Sequence, residues 1–369
     1  MFRVVLTANS SWYLLNYKKN LINILVKKFE VFCLTPKDKY TKHLKKLGIK
    51  YCEIKLNNHG VNPLFEFYSL INLYYHLKKI RPNVLLNFTI KNNIYGTICS
   101  ILLKIPFANN TAGFGNSFIN NNFIFLFIKI IYKYFLKKSN YIFTQNKDDY
   151  KYLVNTLKIA RKNICLVAGS GIDVKTNFSF KKKKSNKYFN FLYLGRFIKN
   201  KGIIDLFEAF KNIHKKNKLV KLSLVGYRKN DKSQISDDII KKIRAHEAIE
   251  VKNFTDKNLE FIYNCDCLVL PSYREGLPKS LLEAGLLKKI SIAADVPGCR
   301  EIIRNEVNGY LFKKGDVSDL EKKMIKVYKL KKNKLFKIGN NAKRLVISNF
   351  DEKTVINKTL NFINNIYKH

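Results

Sequence analysis

A chain of 369 residues, 46% of them hydrophobic and with only 16 Gly and 7 Pro, is long enough for two α/β domains and too apolar to remain disordered. Its formal charge of +42, from 69 Lys and Arg against 27 Asp and Glu, directs it towards something anionic: nucleic acid, an acidic bilayer or phosphorylated substrates. A chain saturated with Lys, Asn, Ile, Phe and Tyr is also what AT-rich codons specify, so charge alone does not establish nucleic-acid binding.

The first eight residues, Met1 to Ala8, read directly as a strand at 2–8; their apolar run is too short for a signal peptide, and a cytosolic location is expected. Further strands are expected at 30–35, 50–56, 83–88, 105–109, 141–144 and 163–167, with helical spacing between them, as in Leu64, Phe67, Tyr68, Ile71 and Tyr75. The aromatic and aliphatic run 123–136, broken by Lys129 and Lys133 and closed by Lys137 and Lys138, is shorter than a membrane span. It reads either as a buried helix or as one lying in the bilayer interface. Residues 180–187, charged and aperiodic, read as an exposed linker.

A second series of strands follows at 189–194, 220–225, 249–253, 265–270, 290–295 and 310–312. Ile203, Leu206, Phe207, Phe210 and Ile213 mark the helix after its first member. A last helix at 351–367 carries Ile356, Leu360, Ile363 and Tyr367 on one side. This alternation predicts parallel sheets covered by helices on both faces, with ligands bound beyond the carboxyl ends of the strands. The seven cysteines are odd in number and lack zinc-ligand spacing, so they read as free thiols of a reducing compartment.

Two strand ends carry chemistry. After 189–194 comes Gly195-Arg196, and Lys201 lies five residues beyond Arg196, beside a glycine that opens a helix. An Arg fork and a Lys point charge at one strand end suit a diphosphate. After 265–270 comes Glu275-Gly276-Leu277-Pro278, then a helix containing Glu283. Pro278 fits a helix start, Gly276 allows close backbone approach, and the helix N-terminus offers N–H groups to phosphate. Carboxylates repel phosphate, so Glu275 and Glu283 are better suited to accept hydrogen bonds from sugar hydroxyls.

Here the sequence resembles the retaining GT-B glycosyltransferases of glycosyltransferase family four. Glu275 and Glu283 match the family's E-x7-E motif, and Arg196 and Lys201 match its diphosphate-binding pair. Val225-Gly226 and Gly169-Ser170-Gly171-Ile172-Asp173 are similar to its usual turns. The resemblance implies two Rossmann-like domains facing each other across a cleft: an acceptor domain at 1–175, a donor domain at 185–345 and a helix at 351–367 returning to the first. It implies that Arg196 and Lys201 neutralise the donor diphosphate, that Glu275 binds the donor sugar beside Gly276 and Leu277, and that Glu283 binds the ribose. Gly195, Gly226 and Pro278 complete the expected donor loops. It also implies retention of anomeric configuration, no metal and no cofactor, the nucleotide sugar being a co-substrate.

Two places depart from the family pattern. The first loop is Ala8-Asn9-Ser10-Ser11 rather than glycine-rich, with Ser10 and Ser11 expected at the donor phosphates, and no histidine follows residues 105–109. Both departures resemble the bacterial transferases that add N-acetylhexosamine to undecaprenyl-diphosphate-linked sugars, in which Gly113, Phe114 and Gly115 would face the acceptor. The expected reaction moves a hexose or N-acetylhexosamine from a nucleoside diphosphate sugar, expected to be UDP-linked, to a lipid-linked glycan or to a lipopolysaccharide or capsule precursor. Peripheral association with an anionic membrane is expected, and nucleic acid is not an expected partner. A nucleotide-sugar epimerase of the same fold and a basic nucleic-acid-binding protein are the rival readings.

Overall fold

The protein is represented by a computed structural model describing residues 1–57, 62–113, 123–176, 180, 187–229, 231 and 233–368, with backbone only over 123–129. It divides into two units, Met1–Ser170 with Lys353–His369, and Gly171–Glu352.

The first unit runs β1 (Arg3–Thr7), α1 (Ser11–Leu25), β2 (Glu30–Thr35), α2 (Thr41–Lys45), β3 (Lys50–Glu53), α3 (Pro63–Ile80), β4 (Val84–Phe88), α4 (Ile90–Leu103), β5 (Phe107–Thr111), α5 (Phe123–Lys137), β6 (Tyr141–Thr144), α6 (Lys147–Lys151) and β7 (Ile164–Leu166). All its strands pair in parallel, in the order β3-β2-β1-β4-β5-β6-β7, so the strand order reverses between β1 and β4. Alternate side chains of β1 leave on opposite faces. Val4 and Leu6 join Leu14, Leu21 and Ile22 of α1, whereas Val5 joins Leu73 and Leu77 of α3.

Strand β5 starts two residues later than the sequence suggests and runs on through Asn109 and Asn110. Pro106 has no N–H to give the ladder, and its carbonyl instead accepts from Leu85. The asparagines are tolerated because a buried polar lattice satisfies them: Thr7 Oγ1 donates to Asn87 Oδ1 (2.9 Å), and Asn87 Nδ2 to Asn109 Oδ1 (2.9 Å). Asn109 Nδ2 then donates to Thr97 Oγ1 (2.8 Å) and Ser139 Oγ (2.7 Å).

Helix α3 forms where the spacing of Leu64, Phe67, Tyr68, Ile71 and Tyr75 places one, capped by Asn62. Those five side chains nevertheless face solvent, and Ser69, Leu73, Leu77 and Ile80 face the core.

The second unit runs β8 (Phe189–Leu194), α7 (Ile203–Lys216), β9 (Val220–Tyr227), α8 (Asp237–Arg244), β10 (Ile249–Asn253), α9 (Asn258–Asn264), β11 (Cys267–Leu270), α10 (Lys279–Leu286), β12 (Ile290–Ala294), α11 (Cys299–Ile302), β13 (Tyr310–Phe312), α12 (Val317–Tyr328) and α13 (Lys332–Asn349). Its sheet is again parallel, ordered β10-β9-β8-β11-β12-β13, and reverses between β8 and β11. Strands β11 and β12 are buried throughout, as befits a sheet covered on both faces. The α7 stripe Ile203, Leu206, Phe207, Phe210 and Ile213 is buried as well.

The final helix, α14 (Glu352–Tyr367), belongs to the first unit from Lys353 onward. Val355, Ile356 and Ile363 enter the same core cluster as Leu6 and Leu14, and Phe362 stacks on Tyr141 with ring centroids 5.0 Å apart. Lys358 Nζ donates to the Leu166 carbonyl at 2.7 Å. Where the chain leaves the second unit it runs beside its own point of entry: Ile172 N–H donates to Phe350 O (2.9 Å), and Glu352 N–H to Ile172 O (3.1 Å). All seven cysteines are free.

Candidate active site

The loops after β8 and β11 meet where the second sheet changes direction, the position at which open parallel sheets take their ligands. Lys201 Nζ, in the turn after β8, donates to Glu275 Oε1 of the loop after β11 at 2.6 Å. Two further bonds fasten these loops: Tyr273 N–H donates to Asn200 O (3.0 Å), and Tyr273 Oη donates to Asp205 Oδ2 (3.0 Å) near the start of α7.

Arg196 follows β8 at once, its carbonyl accepting from the buried Tyr193 hydroxyl at 2.7 Å. Its guanidinium is held on one edge. Nε donates to Asp231 Oδ2 (3.2 Å), and Nη2 to both Asp231 oxygens (3.1 and 3.0 Å) and to Ser233 Oγ (2.5 Å). Burial alone would raise the Asp231 carboxyl, but hydrogen bonds from Ser233 and Arg196 and the Arg196 charge outweigh it and take the carboxyl down to about 2.

Gly226, in β9, has φ +123°, and a Cβ there would stand 2.2 Å from the Gly195 carbonyl oxygen, so only glycine lets these two strand ends lie together. Gly298, at the start of α11, repeats the arrangement with φ +84° and a Cβ position 2.3 Å from the Gly276 oxygen. The loop carrying Glu275, Gly276, Leu277 and Pro278 is thus backed by the turn after β12. Pro278 is the N-cap of α10 and supplies no side-chain acceptor, leaving that helix end without a side-chain cap.

Glu283 lies one turn into α10 and is buried, with Lys279 Nζ 3.9 Å from its Oε1. Burial pushes its carboxyl up to about 6, against the opposing pull of Lys279. Gly195, Arg196, Lys201, Gly226, Glu275, Gly276, Leu277, Pro278 and Glu283 are therefore carried by neighbouring strand ends of one unit. Two cations, an uncapped helix N-terminus and a buried carboxylate offer positive charge for a diphosphate and an acceptor for hydroxyls.

The remaining expected residues lie in the first unit. Ser10 caps α1, accepting from Tyr13 N–H at 3.2 Å. Ser11 is fully buried, and its hydroxyl bonds Thr35 Oγ1 (2.8 Å) and Thr41 Oγ1 (3.0 Å). Because α1 begins at Ser11, that side chain turns to the end of β2. Gly113 follows β5, buried and with φ +76°, while Phe114 and Gly115 lie outside the described residues.

Reading the sequence missed Asp231, Ser233, Tyr273 and Gly298. The available signal for Asp231 was an acidic side chain in a basic loop that follows β9, itself adjacent to β8. Among the described residues, no group of three or more His, Cys, Asp or Glu is placed to hold a metal ion.

Residues 174–345 match the family model Glycosyl transferases group 1, and residues 3–146 match Glycosyl transferase 4-like. The chain is 28% identical over 363 residues to the N,N'-diacetylbacillosaminyl-diphospho-undecaprenol alpha-1,3-N-acetylgalactosaminyltransferase of Campylobacter jejuni, covering 93% of each. It is 23% identical to the UDP-Gal:alpha-D-GlcNAc-diphosphoundecaprenol alpha-1,3-galactosyltransferase of Escherichia coli, over 73% of this chain and 72% of that one. Its fold superposes on the Anabaena protein HepE, solved in complex with UDP and glucose, with a TM-score of 0.80 at 14% identity, covering 99% of this chain and 100% of that one. With both halves matched by glycosyltransferase models and both sheets built in this way, the chain is a glycosyltransferase with a GT-B fold.

Proposed function

We propose that the chain transfers a hexose or N-acetylhexosamine from a nucleoside diphosphate sugar, UDP-linked, to a glycan carried on a polyprenyl diphosphate, with retention at the anomeric carbon. The observation that carries the donor half is the Lys201–Glu275 pair beside Arg196 and the open end of α10. The acceptor half is supported by the two diphosphoundecaprenol-acting relatives, one of them similar along nearly the whole chain.

In this reading the bond from the anomeric carbon to the β-phosphate oxygen breaks first, and its electron pair passes to the diphosphate. Arg196, Lys201 and the N-terminus of α10 stabilise that growing charge, the work a metal ion does elsewhere. An acceptor hydroxyl then bonds the anomeric carbon from the face the phosphate is leaving, and its proton goes to the departing phosphate. Glu275 holds a hydroxyl of the donor sugar, and Glu283 the ribose. No resident cofactor takes part.

The enzyme works at the membrane surface as a peripheral protein. Its +42 charge favours anionic lipid, and no helix among the described residues is long and apolar enough to cross a bilayer. The test is a screen of nucleotide sugars for thermal stabilisation, followed by transfer to a polyprenyl-diphosphate N-acetylhexosamine. Stabilisation by UDP-sugars with formation of a disaccharide lipid is expected; stabilisation by none of them would overturn the donor assignment.

A further inference from the structure

The exposed apolar side chains of the first unit are concentrated on one helical layer. Along α3, Leu64 is 82% exposed, Phe67 64%, Tyr68 50%, Ile71 49% and Tyr75 61%. At about 100° per residue these five form one stripe, roughly opposite the buried Ser69, Leu73, Leu77 and Ile80. No packing among the described residues of the unit explains it. Ile101 and Leu102 at the end of α4, and Ile130 and Tyr134 of α5, are exposed as well. Helix α4 packs against both α3 and α5.

The charge around this stripe is one-sided. Residues 63–138 hold nine Lys and Arg against one acidic residue, Glu66, which is already paired with Lys91 at 2.5 Å. Lys78 and Lys79, both exposed, follow Tyr75 on the stripe's side of α3. In parallel β-α-β units the helices run in one direction, so their last turns gather at one edge. That edge brings Lys78, Lys79 and Arg81 alongside Lys104, Lys137 and Lys138.

We propose that the exposed face of α3, with the ends of α4 and α5, docks on a bilayer, burying the apolar stripe among acyl chains and setting the lysines against anionic headgroups. Tyrosines in the stripe suit that position, each with an apolar ring and a wet hydroxyl. A folded protein partner would need its own acidic rim, whereas an anionic bilayer offers negative charge and apolar depth together. The proposal deepens the peripheral-membrane part of the proposed function and rests on that part alone; the donor site does not enter it.

The test is co-sedimentation of the full-length protein with vesicles of phosphatidylcholine, with and without phosphatidylglycerol, at low and high salt. The double variant Ile71→Ser with Tyr75→Ser is expected to lose roughly tenfold or more of the binding that survives high salt. Lys78→Glu with Lys79→Glu should instead lose the low-salt preference for phosphatidylglycerol. Ile347→Ser, a change at an exposed apolar residue on α13 of the other unit, should bind as the unaltered protein does. Melting temperatures should be unchanged in all three, because these side chains lie outside the cores. Transfer to a short-chain, water-soluble acceptor should also be unchanged, which separates failure of the surface from failure of the glycosyl-transfer reading. Unaltered vesicle binding by the α3 stripe variant would overturn the proposal, as would loss of a dimer in that variant with vesicle binding intact.

Discussion

Lys201 Nζ and Glu275 Oε1 stand 2.6 Å apart across 74 residues of sequence, and only 28% of the lysine side chain and 12% of the glutamate side chain reach solvent. The ammonium is thereby held in place before any donor arrives, on a loop fixed by its own partner. Preorganised charge of this kind stabilises a transition state without reorganisation during the reaction.

Lys201→Ala is accordingly expected to lower kcat by about a hundredfold to a thousandfold, the ~2.7–4 kcal/mol typical of losing one such donor, and to change donor KM less. Steady-state kinetics on variant protein shown by circular dichroism to be folded decides this. Unchanged kcat would remove Lys201 from the leaving-group site.

Glu283→Gln is expected to raise donor KM and leave kcat nearly intact, since ribose hydrogen bonds are made alike in ground and transition states. The same change should stabilise the free protein. Burial places the folded carboxyl at about 6 against an ordinary 4.5, so the folded state binds the extra proton between those values. Above pH 6 the unaltered protein bears the full cost of a buried carboxylate, about 2 kcal/mol, which is relieved as pH falls towards 4.5. Melting curves should show Glu283→Gln ahead at pH 7 and the difference shrinking at pH 5. Donor KM of the unaltered enzyme should rise below about pH 6, as Glu283 protonates.

Asp231 grips the Nε and Nη2 edge of Arg196 and acts as a positioning residue. Asp231→Asn should lower kcat/KM by about tenfold, because the neutral amide gives up the charge-assisted part of that hold. With its carboxyl down at about 2, Asp231 stays ionised through the assay range. The acid limb of the pH profile should therefore be the same in Asp231→Asn as in the unaltered enzyme, and a displaced limb would contradict a positioning role.

Transfer should continue in excess EDTA, since Arg196, Lys201 and the α10 N-terminus supply the positive charge at the leaving group. Loss of turnover restored by magnesium or manganese would show that the protein groups are insufficient.

The second unit was the more legible in sequence, for a topological reason. A parallel sheet with right-handed crossovers sends the loops after β8 and β11 to the same edge, so Arg196, Lys201 and Glu275 could be grouped without coordinates. Asp231 escaped because its loop has no periodicity and its partner is 35 residues away. The burial of Ser11 was not legible because it depends on its neighbour Ser10 taking the capping position and turning Ser11 inward. The asparagines of β4 and β5 gave no sign of a buried lattice, since each is satisfied by residues from other elements. In α3 the spacing of Leu64, Tyr68, Ile71 and Tyr75 revealed a helix but not its orientation, because periodicity is the same whether a stripe meets core or solvent.

The descent of α14 into the first core has a consequence for synthesis. Val355, Ile356 and Ile363 belong to the cluster that holds Leu6, Leu14 and Val31, yet a ribosome makes them only after the second unit. All of Gly171–Glu352 emerges before the first unit can close. The second unit, whose ends meet at Ile172 and Asp351, is contiguous and can fold as soon as it is released. The first unit therefore cannot close its core until the chain has passed through the whole of the second.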